Sequence, residues 1–312
     1  MTEKELLILI KRGASEIDLG EGTLTLSDTV TVKRSLSIRG HGPRTTIVGP
    51  RGKDAFRVTG TLRIEGVTFR SSGRGALIWV SGQATVVHCA LVGAQRRLGL
   101  EGALQHIEAQ IQRGLAGQEI ETDEPDEIPT VGVRAVKKAR LRIEATTVMH
   151  HATAGVAAEG NAAIEIEGST FSGNEIGVVH GSSARSTIVR SAFRDNAMTG
   201  VEVKGGHVDI EHCEATANAG SGFLVTEKGT MRAVSCVAKE NKYTGIGVSS
   251  GTAHVETCEC TGHEGSGIGV FGGKATLVGN LCSSNNHGIE LRDGLTRVEQ
   301  NRTEGNQSAG IW

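Results

Sequence analysis

The chain contains very few aromatic residues. Phe, Trp and Tyr make up 3% of its 312 residues, with a single Tyr and two Trp. Its core must therefore be built from Val, Ile, Leu, Ala and other small side chains, which suits thin stacked layers better than one wide interior. The same scarcity weakens the expectation of a long sugar-binding groove, because ligand pockets rely on aromatic side chains.

The chain also has little net charge and no long apolar run. Its 33 basic and 35 acidic residues are interspersed and leave a formal charge of -2. It therefore lacks the basic arm or stripe that neutralises nucleic-acid phosphates, so no nucleic-acid partner is expected. No window approaches the roughly 20 apolar residues that cross a bilayer, so no membrane partner is expected either.

The N-terminal segment has no features of a secretory signal. Its apolar stretch, LLILI, is short and flanked by charges, and no small-residue cleavage site follows it. This pattern predicts a cytoplasmic location, where the six cysteines serve as small apolar side chains rather than as disulfides. The CEC segment at Cys258 lacks the two-residue spacer of zinc and redox motifs, so no metal is expected.

What the sequence has in abundance is glycine, with 44 residues, many of them periodic. One series recurs every 21 to 23 positions, at Gly132, Gly155, Gly177, Gly200, Gly222, Gly245, Gly267, Gly288 and Gly310. Apolar residues alternate after most of these glycines, as in GVEV at Gly200, which indicates a short strand with one buried face. A second strand follows within each repeat, with inward pairs such as Ile164 and Ile166.

The turn of each repeat usually carries asparagine. The positions are Asn174, Asn196, Asn218, Asn241, Asn285 and Asn306, and His151 and His263 occupy the same place. Asparagine tolerates left-handed backbone and bonds to its copies above and below, so a stacked ladder is predicted. Cys213, Cys236 and Cys258 fall in an inward column beside it. Coils of about 22 residues in constant register predict an all-β parallel solenoid of about 11 to 12 coils.

Residues 16–50 resemble a known family. The segments IDLGEGTLTL, VTVKRSLSIRGHG and TTIVG resemble the opening coils of the pectate-lyase-like proteins, and the later repeats resemble their carbohydrate-binding and sugar-hydrolase type repeats. The resemblance covers nearly the whole chain. It implies a right-handed, single-stranded parallel β-helix over a single domain, residues 1–312. It also implies a polysaccharide lyase or glycoside hydrolase, with calcium under the lyase alternative only, although the Asp-Pro-His motif of uronan epimerases is absent.

The two ends and one insertion depart from the repeat. Residues 1–14 predict a short helix that caps the first coil. Residues 95–130 contain the amphipathic segment LEGALQHIEAQIQRGL and the acidic segment QEIETDEPDEIP. This insertion is either a helix packed on the solenoid with a solvated loop, or the wall of a ligand groove or partner site. At the other end, either Trp312 covers the last coil, or this end meets a partner through end-to-end homo-oligomerisation or a fused domain.

Candidate catalytic residues are sparse. Glu144, Glu165 and Glu167 lie on the outward face of adjacent coils and are expected to approach one another, although such rows usually form a solvated face with ion pairs. His150 and His180, which fall on consecutive coils with His151 and are expected near the same turn, are further candidates for a polar site. The GIGVFG segment at Gly267 begins a strand rather than a helix, so no dinucleotide cofactor is expected.

A possible binding surface lies on the outward face of the strand after each glycine. Its members are Glu202, Lys204, Phe271, Glu290 and Arg292. Glu202 and Glu290 are four coils apart, roughly 19 Å at one strand spacing per coil, which is too far for the carboxylate pair of a glycosidase. Between them, Gly247 and Gly269 predict a flat, bare strip that begins after Leu224.

The observations favour an intracellular, non-catalytic binding or scaffold module. Its partner would be a protein or a carbohydrate, contacted through the solenoid wall, the insertion or the C-terminal end. The alternative is the carbohydrate-active enzyme that the resemblance implies, and a purely structural solenoid is a third reading. A close Asp/Glu cluster in a groove would favour the enzyme.

Overall fold

A computed structural model describes residues 1–73, 75–93 and 130–312 of the chain. The described backbone winds into 12 coils of three strand segments each, with β4 and β6 each supplying two segments, and the segments of successive coils pair in parallel. This confirms the all-β parallel β-helix with coils of about 22 residues. The predicted insertion at residues 95–130 lies outside the described residues, apart from Thr130. No helix in the described ranges is long and apolar enough to cross a membrane.

The strands form three stacks along the coil axis. Stack 1 contains β1 (Glu16–Asp18), the first parts of β4 (Leu36–Val48) and β6 (Thr61–Arg70), β8 (Gln83–Val87), β11 (Arg140–Glu144), β14 (Ala163–Glu167), β17 (Arg185–Val189), β20 (His207–Glu211), β23 (Thr230–Val234), β26 (Thr252–Glu256), β29 (Lys274–Val278) and β32 (Leu295–Glu299). Stack 2 contains β2 (Gly22–Thr25), the second parts of β4 and β6, β9 (Ala90–Val92), β12 (Thr147–Met149), β15 (Thr170–Ser172), β18 (Ala192–Arg194), β21 (Glu214–Thr216), β24 (Val237–Lys239), β27 (Glu259–Thr261), β30 (Leu281–Ser283) and β33 (Arg302–Glu304). Stack 3 contains β3 (Val30–Val32), β5 (Phe56–Val58), β7 (Gly75–Val80), β10 (Thr130–Ala135), β13 (Ala154–Ala158), β16 (Ile176–His180), β19 (Val201–Val203), β22 (Phe223–Val225), β25 (Ile246–Val248), β28 (Ser266–Val270), β31 (His287–Leu291) and β34 (Ala309–Ile311).

A helix, α1 (Glu3–Lys11), covers the first coil as predicted. It begins at Thr2 because the Thr2 hydroxyl accepts a hydrogen bond from the Glu5 backbone N–H, while the Glu5 carboxylate accepts one from the Thr2 backbone N–H. Leu6 is fully buried in the core. The carboxylate of Glu3 accepts hydrogen bonds from the backbone N–H and the hydroxyl of Ser27, which fasten the helix to the first coil.

Side chains of the same kind stack on one another inside the solenoid. The rings of Phe171 and Phe193 lie parallel with their centroids 5.1 Å apart, and Cys260 pairs in register with Cys282. All six cysteines are free and buried, which confirms their place in the core. Burial raises the pKa of the Cys89 thiol to about 11 and that of Cys213 to about 12.

The asparagine ladder is present, and its asparagines are buried from Asn174 to Asn285, whereas Asn306 is partly buried. The Oδ1 atom of Asn218 accepts hydrogen bonds from the backbone N–H of Asn196 at 3.1 Å and from its Nδ2 at 2.8 Å. The Nδ2 atom of Asn218 donates in turn to Oδ1 of Asn241 and to the carbonyl of Phe193. Each amide therefore satisfies buried backbone groups of its neighbours, which would otherwise cost about 1–3 kcal/mol apiece.

Two histidines occupy ladder positions, as predicted. The backbone N–H of Asn241 donates to Nδ1 of His263 at 3.0 Å, and the backbone N–H of His263 donates to Oδ1 of Asn285 at 3.0 Å. Burial lowers the pKa of both His151 and His263 to about 4. Since an unfolded histidine titrates near pH 6.5, the unfolded chain binds more protons than the folded chain between about pH 4 and 6.5. Stability is therefore lost as the pH falls through this range.

We expect Asn218→Ala to lower the free energy of unfolding by about 3 kcal/mol, because it removes hydrogen bonds from buried groups on the two adjacent coils. Urea denaturation followed by circular dichroism measures the change. Asn161→Ala, which removes an exposed asparagine, is the matched control. A loss of similar size in both variants would contradict a structural role for the ladder.

We expect His263→Asn to reduce the acid sensitivity of the fold. The asparagine continues the ladder but does not titrate, so a loss of about 2–3 kcal/mol between pH 6.5 and 4 should disappear. Urea denaturation at several pH values measures the slope. His212→Asn is the control, because it replaces an exposed histidine by the same residue. An unchanged slope in His263→Asn would show that this histidine is not buried in its neutral form.

Candidate functional site

The polar residues singled out by the sequence lie mainly on two outer surfaces. Alternate side chains of a strand point to opposite faces, so the residues between the buried positions line the outside of each stack. We call the outer face of stack 1 wall 1, and that of stack 3 wall 3. Wall 1 carries Glu144, Glu165 and Glu167, and wall 3 carries Glu202 and Glu290.

The three glutamates of wall 1 converge on one arginine. The guanidinium of Arg142 lies 3.3 Å from Glu144, 3.2 Å from Glu165 and 3.4 Å from Glu167. Arg190 forms a further ion pair with Glu167. The carboxylates are 40–62% exposed. The cluster is thus a solvated surface, and each of its carboxylates forms an ion pair with an arginine.

A second polar cluster on wall 1 was not singled out from the sequence. Asp209 is only 11% exposed, and its carboxylate lies 2.7 Å from Nη2 of Arg185 and 3.0 Å from Nε2 of His207. Burial by itself raises the pKa of Asp209, but the hydrogen bonds from His207 and Arg185 outweigh this effect and lower it. A cleft of about 230 Å³ opens beside these side chains, with Glu211 and Arg232 on its border. The only feature of the sequence that could have indicated this cluster is that the outward residues of β20 are polar.

The candidate histidines lie at different corners of the coil. His150 follows β12 of stack 2, whereas His180 ends β16 of stack 3, so the expectation that they share a turn is wrong. The polar turn follows the stack 2 strand of each coil, whereas His180 is the last residue of the stack 3 strand that comes after this turn. Its ring is fully buried, with Nδ1 2.9 Å from the Gly205 carbonyl and Nε2 2.8 Å from the Ser186 hydroxyl. Burial lowers the pKa of His180, which is a hydrogen-bonded core residue.

Wall 3 brings together Glu290, Arg292 and Phe271. Glu290 is 4% exposed, accepts a hydrogen bond from the Ser266 hydroxyl, and lies 2.6 Å from Nε of Arg292. The Arg292 guanidinium lies 5.5 Å from the ring centroid of Phe271 and 5.6 Å from that of Trp312. These distances are within the range of cation–π attraction. A buried carboxylate thus orients an exposed arginine against two aromatic rings.

Trp312 belongs to this cluster. Its ring stacks on His287 with the centroids 5.3 Å apart, and it is 58% exposed. The two side chains that contact its ring, His287 and Arg292, both project from wall 3. Trp312 therefore contributes to the outer surface, which the sequence did not predict.

Glu202 lies in the same row of wall 3 as Glu290, four coils earlier, and Lys204 follows it on the same wall. Their charged atoms are 3.6 Å apart. The row continues in register through Leu224, Gly247 and Gly269 to Glu290. The structure thus places the five residues of the predicted binding surface on one wall, in two groups four coils apart.

The strip between these groups is not bare. A Cβ atom on Gly247 would meet Cδ1 of Leu224 at 2.8 Å, and one on Gly269 would meet the Phe271 ring at 2.6 Å. The neighbouring side chains fold over the glycines and bury them. The predicted bare strip is therefore wrong, because the absence of side chains on Gly247 and Gly269 leaves room that Leu224 and Phe271 occupy.

Chemically, the end of wall 3 with Phe271, Arg292 and Trp312 offers two aromatic ring faces and a fixed guanidinium. In the residues that the structure describes, no group of three His, Cys, Asp or Glu side chains is arranged to hold a metal ion. Among the described residues of this row, the carboxylates are those of Glu202 and Glu290, four coils apart. The arrangement suits binding of a polar ligand with flat apolar faces.

Comparisons with known proteins agree with this architecture. Residues 126–257 match the family model described as a right handed beta helix region, and no curated protein matches the chain in sequence. The Dettilon tailspike protein is 12% identical with a TM-score of 0.69, and the match covers 99% of this chain and 63% of that one. The Agl-KA catalytic domain is 12% identical with a TM-score of 0.68, covering 99% and 65%.

The A-module of the Azotobacter vinelandii mannuronan C-5 epimerase AlgE4 is 12% identical with a TM-score of 0.59, covering 99% of this chain and 92% of that one. The chain thus spans slightly less than two thirds of the tailspike protein and of the Agl-KA domain. At such identities the likeness concerns the fold alone. The coil architecture shows the fold of a right-handed parallel β-helix, as the resemblance implied, and the match over residues 126–257 agrees with it.

Proposed function

We propose that the chain is a carbohydrate-binding β-helix that holds a saccharide chain against wall 3 without cleaving it. The observation that carries the proposal is the cluster of Phe271, Arg292 and Trp312 at one end of the wall. Arg292 is 60% exposed although its Nε atom is fixed by the buried carboxylate of Glu290. The cluster therefore combines exposure with fixed geometry, which reduces the entropy lost when a ligand binds.

The chemistry of the cluster fits a sugar. The apolar faces of sugar rings pack on aromatic rings, and guanidinium N–H groups donate hydrogen bonds to sugar oxygen atoms. Nε of Arg292 is bound to Glu290, so its two terminal nitrogen atoms are available to a ligand. One protein of similar fold, the AlgE4 module, comes from an epimerase named for mannuronan, which is a polysaccharide. That likeness adds support to this choice of ligand class.

The positions of the carboxylates favour binding over hydrolysis at this wall. Glu290 is buried and bonded to both Ser266 and Arg292. The nearest acidic residue in its row is Glu202, four coils away, or roughly 19 Å at one strand spacing per coil. Glycosidases place their two carboxyl groups about 5–9.5 Å apart. Wall 3 therefore holds a ligand rather than hydrolysing it.

A second candidate function is a carbohydrate-active enzyme, and the observation that favours it is the Asp209 cleft of wall 1. Asp209, His207 and Arg185 are hydrogen-bonded together beside a cleft that is open to solvent. A carboxylate and an imidazole can act as general base and acid, and a guanidinium can bind the carboxylate of an acidic sugar. If the chain is an enzyme, we place its reaction in this cleft.

We expect Trp312→Ala and Phe271→Ala each to weaken polysaccharide binding about tenfold, which corresponds to the loss of one ring contact of about 1.4 kcal/mol. Affinity electrophoresis against a panel of neutral and acidic polysaccharides measures the change. Leu295→Ala is the control, because Leu295 is an apolar residue of wall 1 that is 71% exposed. Equal weakening by the control, or full affinity in both ring variants, would exclude wall 3 as the binding site.

The same panel tests for catalysis. We expect the wild-type protein to release neither reducing ends nor unsaturated products that absorb in the ultraviolet. Turnover that disappears in Asp209→Asn but persists in Trp312→Ala would overturn the non-catalytic proposal and establish the enzyme at wall 1. Glu144→Gln is a matched control, because it removes an exposed carboxylate from the same wall.

A further inference from the structure

A cleft of about 440 Å³ lies where the end of α1 meets the corner between β3 and β4. Its apolar side is formed by Ile10, Val32 and Leu36. Val32 and Leu36 belong to the buried core and Ile10 packs against it, so this side is rigidly supported. The volume is within the range of sites that hold small organic molecules.

The charged residues that line the cleft are all basic. Lys11, Lys33 and Arg34 line it together with Ser35, and no acidic residue does. All three basic side chains are exposed. Within the described part of the chain, none of the three forms an ion pair or a hydrogen bond to a carboxylate. Arginines of wall 1 differ in this respect, since Arg63 pairs with Glu65 and other arginines pair likewise.

The helix end does not neutralise this charge. The last carbonyls of a helix carry partial negative charge, which attracts nearby cations. Here the carbonyls of Ile8, Leu9 and Ile10 accept hydrogen bonds from the backbone N–H groups of Arg12, Ala14 and Gly13. Gly13, with φ of 82°, reverses the chain at this point. These carbonyls therefore accept hydrogen bonds from the backbone rather than from the three basic side chains, which can then bind a ligand.

We propose that this cleft binds a small organic anion, with its apolar body against Ile10, Val32 and Leu36 and its carboxylate, phosphate or sulfonate group at Lys11, Lys33 and Arg34. Three cations around one cleft stabilise an anion more than any one of them does alone, and the apolar side removes the rest of the ligand from water. The site lies at the first coil, at the opposite end of the described solenoid from Phe271, Arg292 and Trp312.

The probe for this site is 8-anilinonaphthalene-1-sulfonate, an aromatic sulfonate whose fluorescence rises in an apolar environment. We expect saturable binding at one site per chain. Lys33→Gln/Arg34→Gln should weaken it at least tenfold, because two of the three cations are removed. Lys138→Gln/Lys228→Gln is the control: both lysines are exposed, lie far along the chain from the cleft, and the change in net charge is the same. The single variant Lys33→Gln gives a second measurement, with a smaller loss expected.

Two further ligands separate the contributions of charge and apolar surface. Inorganic sulfate should displace the probe only at concentrations far above those of the probe itself. The neutral analogue N-phenyl-1-naphthylamine should bind the wild-type protein and the double variant equally weakly. Equal probe affinity in the double variant and the wild type, or sulfate binding as tight as that of the probe, would overturn the proposal. Thermal unfolding checks that the variants retain the native fold, which is expected because the replaced side chains are exposed.

Discussion

Hydrogen bonding between each coil and the next is the constraint on which the rest of the molecule depends. A coil has no core of its own, so its inward side chains are buried only by the equivalent side chains of adjacent coils. Phe171 on Phe193 and Cys260 beside Cys282 show this dependence. Where the chain carries extra residues between Arg39 and Thr46, β4 shifts register at the corner and pairing with β6 then resumes. The overall register is thus kept although the local geometry is irregular.

The turns show how strongly this register is enforced. Asp195, Ala217 and Glu240 each precede a ladder position and each has a left-handed backbone, with φ between 52° and 55°. Such a conformation costs a residue with a side chain roughly 1–2 kcal/mol. The buried amide hydrogen bonds of the ladder compensate for it, because every ladder side chain satisfies backbone groups on neighbouring coils. The strained residue and the hydrogen bonds that compensate for it therefore lie at the same corner of each coil. The hydrogen bonds between coils keep successive turns superimposed.

The same register organises the outer surface. Residues about 22 positions apart become neighbours, so charges on successive coils pair across wall 1 and rings on successive coils gather on wall 3. Phe271, Arg292 and Trp312 come from three consecutive coils, and their contact follows from strand stacking. The cleft beside α1 is different, because it forms where the helix interrupts this regularity. The regular walls suit extended ligands, whereas the irregular end offers an enclosed space for a small one.

The sequence by itself determined the coil length, the inward columns, the ladder with its histidines and the cap. Each of these follows from spacing along the chain, which a strict repeat converts directly into spatial neighbours. Only the tertiary structure decided how outward side chains are arranged: Leu224 and Phe271 cover the glycines, Glu290 is buried, Asp209 joins Arg185 and His207, and His180 is separated from His150. The reason is that backbone pairing fixes the Cα position of an outward residue, whereas its rotamer and the neighbouring charges determine where the terminal atoms of its side chain lie.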